Sequence, residues 1–63
     1  MTDQQIITQA YEEKIKTLFS TFCDAWSLAK EADEKMKAEQ HFQIGVQLAR
    51  QARDRAFAIL PPA

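Results

Sequence analysis

The sequence predicts an all-α fold, an antiparallel two-helix hairpin that dimerises into a four-helix bundle. Three observations carry this prediction. The chain has one glycine, Gly45, and two prolines, Pro61 and Pro62, both at its very end, so it lacks the turn punctuation of a β protein. Apolar residues recur at steps of three and four in two separate stretches, the period of a helix face. The two stripes are also out of phase, which argues against one continuous rod. At 63 residues the chain has room for one domain, a hairpin spanning 1–63, and not for a nucleotide-binding α/β domain, a barrel or a sandwich.

Helix 1 is expected over about 3–31. Thr2-Asp3-Gln4-Gln5 fits the capping box, in which the Thr hydroxyl and the Gln side chain satisfy each other's backbone N–H groups. Asp3 adds negative charge at the positive end of the helix dipole. The apolar stripe then runs Ile7, Tyr11, Ile15, Leu18, Phe22, Ala25, Ala29, with Phe19, Cys23 and Trp26 in a row beside it. At roughly 100° per residue these positions cover an arc of about 160°.

Continuing that rotation past Ala29 would place the second stripe almost opposite the first, near 200° against roughly 40°. A rod could not bury both stripes against each other, whereas a hairpin can. Asp33 is the expected break, as an N-cap with Glu34 in the following turn, which puts the turn near 32–33 and helix 2 over about 34–60. Its row is Ala38, Phe42, Gly45, Ala49, Ala52, Ala56, Ile59, in alternating steps of four and three, and Pro61-Pro62 ends it. The aromatic face of helix 1 and the small residues of helix 2 suit each other, since large side chains fill the space that small ones leave. With the turn at Asp33, Phe19 and Phe22 should lie near Gly45 and Ala49, and Ala49 and Ala52 should form the close-packed seam.

The same residues limit the chemistry. One cysteine, Cys23, and one histidine, His41, cannot make an internal disulfide or a zinc cluster, and no metal or other cofactor is expected. Cys23 lies mid-helix beside Asp24, a setting that does not activate a thiol. The residue three before His41 is Ala38, so the Glu-x-x-His pattern of a di-iron bundle fails. No phosphate loop and no Ser-His-Asp set occur, and an enzyme is not expected. The longest apolar run, Ala56 to Leu60, is far short of a membrane span. The start, Met1 to Gln5, has no basic region, so the reading is a cytoplasmic protein without a secretory leader.

Charge divides unevenly. Residues 1–34 carry seven acids and three bases, a balance of −4, and residues 35–63 carry two acids and five bases, a balance of +3. Attraction between the two helices is the simpler use of that asymmetry. The sharper one is a nucleic-acid contact through Arg50, Arg53 and Arg55, joined by Lys35 and Lys37. The arginines lie at different angles and form no stripe, so nucleic acid is not the expected partner.

The expected function is a small regulatory or protein–protein interaction module acting through helix–helix contacts. A homodimer is expected, with a further protein partner. Helix 1's apolar face is wider than one partner helix can cover, so Tyr11, Ile15, Phe19, Phe22 and Trp26 are the expected interface. A nucleic-acid-binding regulator and an accessory subunit of a larger complex are the alternatives.

Overall fold

The computed structural model describes residues 2–60. Two helices, α1 (Asp3–Leu28) and α2 (Ala32–Ile59), pack against each other as an antiparallel hairpin. The start of α1 is the capping box read from the sequence: Gln5 N–H donates to Thr2 Oγ1 at 3.2 Å and Thr2 N–H donates to Gln5 Oε1 at 2.9 Å. Two of the N–H groups that a helix start leaves unpaired are thereby satisfied.

The reversal occurs earlier than a break at Asp33 would place it. Ala29 and Glu31 are extended, Glu31 is the N-cap of α2, and its side chain makes no capping hydrogen bond. Asp33 is not the cap. It lies inside the first turn with Glu34. Starting α2 at Ala32 places both carboxylates beside the free N–H groups at the positive end of the dipole. Three residues suffice to turn the chain, and Lys35 N–H closes the first turn onto the Glu31 carbonyl at 3.1 Å. α2 ends at Ile59, with Leu60 extended and its N–H donating to the Ala56 carbonyl at 3.1 Å. The stop expected from Pro61-Pro62 lies outside the described residues.

The earlier turn shifts the pairing by one helical turn. Leu18, not Phe22, faces Gly45: a Cβ on Gly45 would lie 2.7 Å from Leu18 Cδ2. The glycine gives α2 less intrinsic helix propensity than Ala would, by about 1 kcal/mol, and in return the Leu18 side chain closes onto bare backbone. Phe22 stacks on Phe42 with centroids 5.0 Å apart, and Phe19 meets the same ring edge-on at 6.3 Å. Phe42 is thus the centre of the hairpin's aromatic cluster.

The seam on α2 also departs from the alternating row. Ala38, Phe42, Gly45 and Ala49 turn inward, but Arg53 and Leu60 follow them, while Ala52 and Ile59 are exposed. Ala56 of the row is half-buried and stays on the line. At roughly 100° per residue Ala52 and Arg53 lie about equally far to either side of the line through Ala38, Phe42, Gly45 and Ala49, and the longer Arg53 side chain covers itself against Tyr11 of α1.

Candidate interaction surface

The hairpin is a single layer of helix, with principal extents of 49 × 18 × 6 Å over its Cα atoms. Each helix buries one narrow line against the other and leaves both flanks of that line uncovered. Among the described residues Ala38, at 9% exposure, is the buried one. Every other apolar side chain among them is at least partly in contact with solvent, so the surface carries the chemistry of this molecule.

The two broad sides differ. On one side α1 presents Phe19, Cys23 and Trp26, which follow one another around the same flank at helical spacing. Phe19 is 55% exposed and Trp26 is 37% exposed. Trp26 leans on Phe22 with centroids 5.7 Å apart, and Lys35 Nζ sits 4.5 Å from its ring centroid. Val46 and Phe57 of α2, both half-buried, share this side. Near the start of α1 it opens into a shallow hollow of about 890 Å³, lined by Thr and Gln side chains, Glu12 and Phe57.

The other side is a groove of about 580 Å³ between the helices, with Ala10 and Leu18 from α1 and Gly45, Leu48, Ala49 and Ala52 from α2 among its lining. Small residues make the floor, and Leu48, 60% exposed, makes a wall. Ile59, 64% exposed, lies on the same flank of α2 beyond the groove. This side was hidden in the sequence by the seven-residue row, which assigned Ala52 and Ile59 to the internal seam. With the helices paired, both are exposed there.

The five residues expected at an interface therefore divide. Tyr11, Ile15 and Phe22 are half-buried along the line between the helices, while Phe19 and Trp26 are turned outward. Tyr11 supports Arg53, whose guanidinium carbon lies 4.5 Å from the ring centroid. Arg53 also pairs with Asp54 at 3.0 Å, so it is held in the hairpin and half-buried. Arg50 and Arg55 are exposed and lie about 140° apart around α2, so the three arginines are not brought together. His41 is exposed at the rim of the groove, and Cys23 is an exposed free thiol.

Among the described residues no helix is long and apolar enough to cross a membrane. Among the described residues no three His, Cys, Asp or Glu side chains gather as a metal site would require. No protein-family model, curated protein or solved structure matches this chain.

Proposed function

We propose that this hairpin is a protein–protein interaction module that works through helix–helix contacts and associates with further copies of itself, two hairpins forming the smallest assembly of four helices. The observation that carries this reading is the single helical layer, with Phe19, Trp26, Leu48 and Ile59 all left outside it. A stable domain ordinarily needs at least two packed layers around a core. One cysteine allows no internal disulfide and no metal cluster gathers among the described residues, so in this reading a further copy supplies the second layer. The outward aromatic residues are the kind that dominate interfaces. A cytoplasmic regulatory role acting by contact, without catalysis, is consistent with such a surface.

The direct test is truncation of the outward aromatics. Trp26→Ala and Phe19→Ala should each weaken self-association by at least tenfold, measured by analytical ultracentrifugation over a concentration series. Equal truncation of Ile44, exposed on α2 and outside both the seam and the groove lining, should change it little. If all three variants associate like the parent chain, the outward aromatics are not the contact and the reading fails.

A further inference from the structure

We infer that the copies join head to tail, the aromatic side of one hairpin seating in the groove side of the next. The inference rests on the self-association proposed above and specifies its geometry. Three features of the molecule lead to it.

The first is that both broad sides carry uncovered apolar residues. Phe19 and Trp26 of α1 fall on one side, and Leu48 and Ile59 of α2 fall on the other, where Ile6 and Leu28 of α1 also lie. An isologous pair, with the same patch on both copies, would cover one side and leave the apolar residues of the other in water.

The second is shape. Phe19 and Trp26 project, whereas the opposite side is a groove of about 580 Å³ floored by Ala10, Gly45, Ala49 and Ala52. Two aromatic sides set together would hold the helices apart, and two grooves set together would enclose a void. Close packing favours large against small. The third is area. The hairpin exposes 5093 Å², most of it on two broad sides of 49 Å by 18 Å between Cα atoms, so either side can supply the ~800 Å² per partner of a standard interface. A second copy fits this footprint along its full length.

Head-to-tail contacts do not close in pairs. Each added copy leaves one aromatic side and one groove free, so assembly proceeds to a ring if the rotation per step closes and to an open stack if it does not.

The test uses two variants that each block one side, Phe19→Glu and Leu48→Glu. Both replace an exposed side chain with a good helix former; Leu48→Glu leaves the contacts between α1 and α2 in place, and Phe19→Glu gives up the edge contact to Phe42 but keeps the Phe22–Phe42 stack. The parent chain should grow past two copies as its concentration rises. Each variant alone should sediment as one chain, because head-to-tail contact needs both sides intact. An equimolar mixture should give a heterodimer that stops at two chains, through the intact groove of one variant and the intact aromatic side of the other. If an isolated variant loses helicity, recovery of the circular dichroism signal on mixing reports the same event. Dimerisation of Leu48→Glu alone would establish contact between aromatic sides, and dimerisation of Phe19→Glu alone contact between grooves. Either result overturns the inference, as does a mixture that stays at one chain. A parent chain that remains single at every concentration would overturn the self-association reading itself.

Discussion

Replacing Phe42 with alanine removes the ring on which the hairpin is centred. The ring stacks on Phe22 at 5.0 Å and receives the edge of Phe19 at 6.3 Å, and its own side chain is half-buried. Truncation of a fully buried Phe costs about 3–5 kcal/mol. Incomplete burial reduces that transfer and cavity cost to about 2–3 kcal/mol, and losing the paired-ring geometry adds about 0.5–1.5 kcal/mol. The expected loss is therefore about 2.5–4.5 kcal/mol, a large share of the stability of so small a domain. Urea unfolding followed by circular dichroism, at one fixed protein concentration, measures it. A double-mutant cycle with Phe22→Ala isolates the ring–ring contribution, expected at about 0.5–1.5 kcal/mol. Ile44→Ala, on the exposed surface, is the control and should stay within about 0.5 kcal/mol of the parent. If Phe42→Ala cost no more than Ile44→Ala, the two helices would not be held together at this cluster, and the packing described above would be wrong.

Other substitutions probe separate parts of the same argument. Glu31→Ser should stabilise the hairpin by about 0.5–1 kcal/mol in thermal unfolding, because the N-cap of α2 has extended geometry but no side-chain capping bond. Asp33→Ala should cost about 0.3–1 kcal/mol, the worth of a first-turn carboxylate; a larger loss would restore Asp33 as a cap. Ala49→Leu should overpack the seam and cost about 1–3 kcal/mol by the same unfolding assay. Arg53→Ala should cost about 0.5–1 kcal/mol through the lost stack on Tyr11, while Arg55→Ala, exposed on another side of the helix, should fall within experimental error.

Local signals were the most legible in the sequence. The Thr2–Gln5 capping box is present with both hydrogen bonds, because it depends on four adjacent residues alone. The two helices and their antiparallel packing followed from the jump in apolar phase, which belongs to the chain as a whole. The turn position was less legible: Asp33 has the chemistry of a cap, but acidic residues are equally stable one or two places inside a helix start, and nothing local separates the two placements. That difference of a few residues changed the register, so that Leu18 and not Phe22 meets Gly45. The groove was concealed for another reason. Ala52 and Arg53 lie about equally far from the buried line by angle, and which of the two is covered depends on the stack of Arg53 on Tyr11 across the hairpin, a contact between distant residues. Phe19 and Trp26 were legible as part of a face too wide for one partner helix. Their outward direction, opposite to that of Leu48, required the paired helices.

The central claim is that one hairpin is half of a core. The most direct test is the concentration dependence of its mass and melting temperature, measured together from low to high micromolar. Sedimentation should give two chains or more at the upper end, and the melting temperature should rise with concentration, since unfolding then includes dissociation. A folded single chain of 7.2 kDa, with a melting temperature that does not move across that range, would contradict the account.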